Sequence, residues 1–379
     1  FESETHLAAS SASVVVAWID HLIMPRLLTI GYAISRDGGT TFSAPQHIMA
    51  PGGREAGDPS VAADGQGGFY VSFVGFQPNM TTLDAHIYLS HLAPGGTTFG
   101  APSAVDQGAG GDFDKPWVIV DNAGVVHVTW LDFGVNQLIA ARSSDGVSWT
   151  GATVPGDGNL MYPCLDRAAG ASAPLYLTFL TITDPQAPVV SLRRSIDGGT
   201  TWTQPYITDP ATDAVFQDPT CEVAGDEVWI AYAQGSGIWS SMQTPLAESV
   251  RVVHSRDRGV TWSAPVTVTA ATAGERYLLP ALARTQAGLL MVIYYAGTDG
   301  GPATLERAVS PDGGGSWARA PLGMTGTLTG VRTARTWLGD YIGATASGAS
   351  VLAVFDDNTS TCVGVAEQCS HIRFLSVTP

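Results

Sequence analysis

Along its whole length the chain alternates between short, strongly apolar blocks and polar stretches rich in Gly, Ser, Thr, Asp and Pro. The blocks read VVVAWI at 14–19, FYVSFV at 69–74, VVHVTWL at 125–131, LYLTFL at 175–180, VWIAYA at 228–233, LLMVIYY at 289–295 and VLAVF at 351–355. They concentrate β-branched and aromatic residues, turn residues bound them, and no 3.6-residue apolar period persists, so each predicts a strand rather than a helix. Ahead of each block lies a shorter extended segment and a small turn, as in DPSVAADGQGGFYVSFV at 58 and LPALARTQAGLLMVIYY at 279. Seven such units follow one another, beginning near 4, 58, 114, 162, 218, 279 and 340.

After the apolar block most units carry a second signature. SRDGGTTF stands at 35–42, SIDGGTTW at 195–202, SRDRGVTW at 255–262 and SPDGGGSW at 310–317; RSSDGVSW at 142–149 is one residue tighter, and HLAPGGTTF at 91–99 keeps the second half. The spacing of about 55 residues is that of one four-stranded sheet. Repeated sheets of this size bury both faces when packed radially. The pattern therefore predicts an all-β chain, a β-propeller of about seven four-stranded blades with six as the alternative, in a single domain over 1–379.

The octet has a local physical explanation. Its Ser and Asp can accept hydrogen bonds from the turn's amides, its glycines permit positive φ, and its Trp or Phe packs into the blade. Asp37, Asp197, Asp257 and Asp312 thus read as turn staples rather than catalysts.

Charge narrows the range of partners. With 34 acidic against 18 basic side chains, the net charge of −16 disfavours nucleic acid and anionic membranes, and no apolar run is long enough to span a bilayer. Lys115 is the only lysine, so the remaining positive charge is arginine, a planar fork suited to carboxylates. The four cysteines, Cys164, Cys221, Cys362 and Cys369, form no C-x-x-C pair and read as disulfides, with Cys362–Cys369 and Cys164–Cys221 as the pairings to consider. Together with N-x-S/T matches at Asn79 and Asn358 they favour an exported protein, expected to be a monomer. No signal peptide is visible at Phe1, as expected of a mature product whose targeting segment has been removed.

The octets resemble the Asp boxes, or BNR repeats, of bacterial sialidases and other secreted, glycan-active propellers. That resemblance implies that residues opening the first strand and closing the second strand of each blade gather at the functional mouth, remote from the Asp boxes. The openings supply Glu4, Asp58, Asp114, Lys115, Tyr162, Asp218, Asp340 and Tyr341. The closings supply Asp20, His21, Asp132, Tyr295, Asp356 and Asp357, and the loops before the first strands add Arg54, Glu55, Arg276, Tyr277, Arg332 and Arg335.

Retaining sialidases use a tyrosine activated by a carboxylate, an aspartic acid as acid/base and three arginines on the sugar carboxylate. On this pattern Tyr341 in GDYIGATA is the nucleophile, Asp218 in QDPTCEVAGDEVWIAY its carboxylate partner and Asp58 the acid/base. Arg276, Arg332 and Arg335 form the clamp with Arg54 in reserve, Trp337 stacks on a sugar ring, and Lys115 and His21 complete the substrate-binding set. The family's R-I-P arginine has no counterpart, since the first strand reads ETHLAAS, and Asp218 stands where the family has Glu.

An acidic residue recurs at the opening of five units. It reads as a strand cap facing a wet channel, as catalytic carboxyls, or as a calcium site for which Glu4, Asp114 and Asp340 are the candidates. Two other functions remain open on the sequence: a non-catalytic, calcium-dependent propeller that binds a glycan or a protein, and a polysaccharide lyase using His21 with a tyrosine. In each the ligand is a glycan, a small sugar or a protein.

Overall fold

A computed structural model describes residues 2–22, 27–77, 84–154, 159–169, 173–182, 188–203, 206–207, 217–235, 244–269, 272–331, 335–361 and 368–378. Seven antiparallel sheets follow one another in chain order, and within each sheet the strands lie side by side in the order of the sequence. The fold is the expected seven-bladed β-propeller. The only helical turn among the described residues is a three-residue 3-10 turn at Pro51–Gly53.

The first blade shows the rule: Glu2–Ser10, Ser13–Leu22, Leu27–Ser35 and Gln46–Ile48 form a meander of four strands. Second strands are nearly continuous apolar runs because both of their faces are covered. In Leu290–Gly297 every residue but the last is buried, and Leu175–Ile182 is buried throughout. Six sheets have four strands; the last has three among the described residues, Gly343–Ser347, Ser350–Asp357 and His371–Val377. The amide of Glu2 donates to the Ser370 carbonyl at 3.2 Å, and the Ile372 amide donates to Glu2 Oε2 at 2.8 Å, so the chain's opening segment is bonded to its last strand.

The chain gathers into two compact units, Thr5–Leu177 with Arg193–Gln204, and Phe1–Glu4 with Thr178–Leu192 and Pro205–Pro379. Each has its own core. In the former, Phe69, Phe73 and Tyr88 pack with Val15 and Ile30; in the latter, Met291, Ile293 and Tyr295 pack with Leu305, Val351 and Phe355.

The octets are the turn staples that their composition predicted. Ser35 Oγ donates to Asp37 Oδ1 at 2.8 Å, the Gly39 amide donates to Ser35 Oγ at 2.9 Å, and Thr41 donates its amide at 2.8 Å and its hydroxyl at 2.6 Å to Asp37. The same four bonds recur around Asp197, Asp257 and Asp312. Each octet begins where the third strand ends, opposite the start of the second strand (Val14 faces Ser35, Leu290 faces Ser310). Residues closing the second strand therefore lie at the other end of their blade.

Asn358 departs from its sequence reading. It is fully buried: Oδ1 accepts from the Thr327 amide at 2.7 Å, and Nδ2 donates to the carbonyls of Thr327 at 3.0 Å and Thr336 at 2.8 Å. A glycan cannot be attached there in the folded protein, so this sequon gives no support to export. Asn79 lies outside the described residues, as does Cys362; Cys164, Cys221 and Cys369 are all disulfide-bonded.

Candidate functional site

The openings of the first strands share a backbone device. Asp58, Lys115 and Leu279 each have a positive φ, at 52°, 51° and 53°, and each precedes a proline. In the ladder Gly57 faces Val74 and Ser60 faces Ser72, so Asp58 and Pro59 together oppose Phe73 alone. Lys115–Pro116 and Leu279–Pro280 make the same bulge opposite Trp130 and Tyr294. Proline suits the bulged position because no ladder hydrogen bond needs its missing N–H. The left-handed residue before it costs on the order of 1–2 kcal/mol, held in place by the surrounding sheet.

This bulge corrects the repeat register. Lys115, not Asp114, is the equivalent of Asp58, and Leu279 holds that place in the sixth blade, so the shared point is not uniformly acidic. Proline was the signal in the sequence: aligning units on the X-Pro pair at 58–59, 115–116, 162–163, 218–219 and 279–280 gives the register directly.

Two residues beyond the opening, a side chain ties three of the blades to the next. His6 Nδ1 accepts from the Val61 amide at 3.0 Å, Ser60 Oγ from the Val118 amide at 3.1 Å, and Thr220 Oγ1 from the Leu282 amide at 3.0 Å. Gln217 adds a further tie, accepting the Leu279 amide at 2.8 Å and donating to the Pro245 carbonyl at 3.0 Å. Sequence reasoning passed over all four because none is charged or a recognised motif. They fix the openings where the candidate chemistry stands.

In the unit containing Thr5–Leu177, the bulges bring Asp58, Asp114 and Lys115 together. Lys115 Nζ is 2.5 Å from Asp58 Oδ1, with side chains only 8% and 12% exposed. Asp114 Oδ1 accepts the Lys115 amide at 2.9 Å, and Asp58 lies near enough for its charge to act on the Asp114 carboxyl. Burial, and then the charge of Asp58, push the Asp114 carboxyl well above the usual carboxylate range; Lys115 pulls the other way. Two carboxyls and one ammonium thus meet where Asp58 and Lys115 are buried and Asp114 is half-buried.

The other residues expected in this unit stand apart from that pocket's chemistry. Arg54 is committed to Asp84, with Nη1 2.5 Å from its carbonyl and Nη2 2.8 Å from Oδ2, and Asp84 in turn pairs with His86 at 3.2 Å. His86 Nδ1 lies 2.8 Å from Asp106, which completes a structural chain and removes Arg54 as a ready carboxylate ligand. Asp20 pairs with His47 at 2.7 Å, and His21 is exposed.

In the unit containing Pro205–Pro379, Gly339 sets the geometry. It has φ +83°, and a Cβ there would lie 2.7 Å from the Glu4 amide nitrogen, so Gly339-Asp340-Tyr341 is laid directly against Glu4. Glu4, Asp340 and Tyr341 are 3%, 1% and 7% exposed. Asp218 is also buried, between Gln217 and the Thr220 tie. Arg276 is half-buried at the start of its strand, with Nη1 3.0 Å from the Glu275 carbonyl, and it makes no ion pair among the described residues. Arg335 is exposed, Trp337 half-buried, and Arg332 lies outside the described residues, as does the side chain of Tyr162.

Tyr295 and Asp356 lock to one another rather than to solvent. The Tyr295 hydroxyl donates to the Asp356 carbonyl and accepts the Asp356 amide, both at 2.8 Å. Burial drives the Asp356 carboxyl well upward, with the hydroxyl of Ser370 at 3.2 Å opposing. Among the described residues no three His, Cys, Asp or Glu side chains gather into a group that could hold a metal ion. No helix among them is long and apolar enough to cross a membrane.

No family model matches the chain, and none of the curated proteins matches it. Solved structures do. A protein of unknown function from Dyadobacter fermentans DSM 18053 superposes with a TM-score of 0.57 at 14% identity, covering 87% of this chain and 97% of that one. Hadza microbial sialidase Hz136 gives 0.53 at 15% identity over 100% of this chain and 65% of that longer one. An ulvan lyase, a polysaccharide lyase of family PL25, gives 0.54 at 14% identity over 86% and 82%. At these identities the likeness is one of fold alone, that of a β-propeller.

Proposed function

We propose that this protein is an exported glycoside hydrolase that cleaves a terminal bond of an acidic sugar. The observation that carries the reading is the Asp58–Asp114–Lys115 centre. A carboxyl held above the usual range beside a second carboxylate can act as a general acid at a glycosidic oxygen, and Asp114 is pushed up in that way next to the Asp58–Lys115 pair. A chain needing only solubility or blade symmetry gains nothing by burying Asp58 and Lys115 at a strained bulge.

In this reading the acid/base function belongs to the carboxyl centre at Asp58. Tyr341 serves as nucleophile with Asp218 as its activating carboxylate, and Arg276, assisted by Arg335, holds the sugar carboxylate. Three features support these roles. Tyr341 is held by the close Gly339–Glu4 contact, Asp218 is buried beside a glutamine that fixes the next strand, and Arg276 has no competing ion pair among the described residues. The bonded cysteines suit an oxidising compartment.

The test is release of fluorophore from a panel of aryl glycosides headed by an α-sialoside. Turnover that disappears in Tyr341→Phe at an unchanged melting temperature supports the assignment. Full activity in that variant ends the nucleophile role, and silence across the panel in the wild type ends the hydrolase reading, leaving glycan-array binding to examine the propeller as a lectin.

A further inference from the structure

The third blade carries a cavity that the candidate centre does not use. Its strands Phe113–Val120, Val126–Asp132, Gln137–Ser143 and Thr150–Val154 pair side by side. Their register sets Phe113 opposite Asp132, Trp130 opposite Ile139 and Ala141 opposite Gly151. Side chains alternate between faces along a strand, so all six positions share one face of the sheet. Asp106 and Ala109, which follow the last strand of the preceding blade (Ser103–Ala104), complete the lining of a cavity of about 220 Å³. Every one of these residues belongs to the unit containing Thr5–Leu177.

The lining divides into an apolar floor and a set of polar atoms. Phe113 meets Trp130 edge to face, with centroids 5.9 Å and planes 63° apart. Gly151 keeps the floor open, because a Cβ there would meet nothing nearer than the Ala140 carbonyl at 4.0 Å. Asp132 is half-buried, its Oδ1 held by the amides of Gly134 at 3.0 Å and Val135 at 3.3 Å. The Asp106 side chain is only 1% exposed; Oδ2 is taken by the Gly110 amide at 2.9 Å and by His86 Nδ1 at 2.8 Å. Asp106 Oδ1 and Trp130 Nε1, by contrast, are buried with no hydrogen-bond partner among the described residues. Orphaned buried polar atoms are costly, and here an acceptor and a donor both belong to side chains of one cavity wall.

We propose that this cavity is a binding site for a single uncharged sugar ring. Its volume lies below the roughly 300–1,000 Å³ of sites for larger organic ligands, which suits one ring rather than an oligosaccharide. The C–H face of a pyranose packs on the Phe113, Trp130 and Ile139 surface. Asp106 and Asp132 accept from hydroxyls, and with no arginine or lysine among the described lining residues they repel a ligand bearing carboxylate or phosphate. A hydroxyl both donates and accepts, so it matches the Asp106 acceptor and the Trp130 donor together; an ammonium only donates and would leave the indole N–H unanswered. The site goes beyond the hydrolytic reading and needs no turnover.

The experiment follows the Trp130 indole N–H by nuclear magnetic resonance in the full-length protein, with the resonance identified among the ten tryptophans by its loss in Trp130→Phe. The probes are the methyl glycosides of glucose, galactose and mannose, the uronate of each, and tetramethylammonium. A saturable shift with at least one neutral glycoside is expected, with its uronate binding at least about tenfold more weakly. Gly151→Leu, which fills the cavity from a position with room for a side chain, should weaken that binding at least about tenfold at an unchanged melting temperature. Should Gly151→Leu fail to fold, Ala109→Leu at an exposed position fills the cavity from the other blade and must weaken binding likewise. No shift with any neutral glycoside, a uronate that binds as tightly as its neutral counterpart, or undiminished binding in the filled variant each overturns the proposal. A shift with tetramethylammonium and with none of the sugars overturns it in favour of a cation site. Because no arm reads turnover, silence on aryl glycosides leaves this site standing, and failure here leaves the Tyr341→Phe test of hydrolysis intact.

Discussion

His6 Nδ1 accepts a hydrogen bond from the Val61 amide at 3.0 Å, and the His6 ring packs edge-on against Trp117 with centroids 4.8 Å apart. An acceptor nitrogen must be unprotonated, and burial holds the His6 pKa down, from 6.5 to about 4. Between those values the unfolded chain binds a proton that the folded chain refuses. Stability from this residue is thus complete above pH 6.5, declines as the pH falls, and levels off below about 4, a loss on the order of 3 kcal/mol. Urea unfolding at a series of pH values should show that decline in the wild type and its absence in His6→Gln. Parallel curves for the two proteins would refute the account.

The octets predict a second, separate acid transition. Asp37, Asp197 and Asp257 are drawn down from 3.8 to about 2, first by the side-chain hydrogen bond of the threonine four residues on. Depressed carboxylates stabilise above their unfolded pKa and cease to do so as the pH falls through the folded one, so this contribution disappears between about pH 4 and pH 2. Asp257→Asn should lower the melting temperature at pH 7 and reduce its dependence on pH in that window. No change in the pH 4 to 2 slope would count against the staple.

Gly339→Ala tests the seat of Tyr341. A methyl group there lies 2.7 Å from the Glu4 nitrogen at φ +83°, so both the contact and the backbone must yield. The left-handed term alone costs about 1–2 kcal/mol, and the clash adds to it. A drop in melting temperature is expected, together with loss of turnover larger than the loss of folded protein. A variant as stable as the wild type would show that the close approach is not needed.

Lys115→Met should destabilise more than most surface changes, because it strips the counter-ion from the buried carboxylate of Asp58. Breaking a buried pair from one side costs about 3–5 kcal/mol. In the double variant with Asp58→Asn much of that loss should return, giving a coupling of at least about 1 kcal/mol in a double-mutant cycle. Additive losses would mean that the 2.5 Å contact carries no net energy.

Asn358, although it stands in a sequon, should be found unmodified by peptide mass analysis after expression in a glycosylating host. Asn358→Ala should cost roughly 3 kcal/mol, since three backbone partners lose their bonds in a buried place. Glycan on Asn358 in folded protein would contradict its burial.

The sequence by itself determined whatever depends on residues close together in the chain. An Asp, a Gly and a Thr within one octet satisfy each other across four residues, and a turn plus a both-sides-apolar block makes a strand wherever it occurs, so the seven units and their staples were legible before any coordinates. The residues opening and closing the strands were also legible as a list. What it could not determine is which members of that list meet. Asp58 and Lys115 are 57 residues apart, and only the bulge at each X-Pro pair turns them toward one another and shifts Lys115 into the place expected of Asp114. Arg54 looked available until the fold set it against Asp84, and Asn358 looked exposed until its amide was enclosed by Thr327 and Thr336. Those outcomes are set by packing between distant segments, where a shift of one residue in register exchanges a buried partner for a solvated one, and no local pattern of residues encodes that choice.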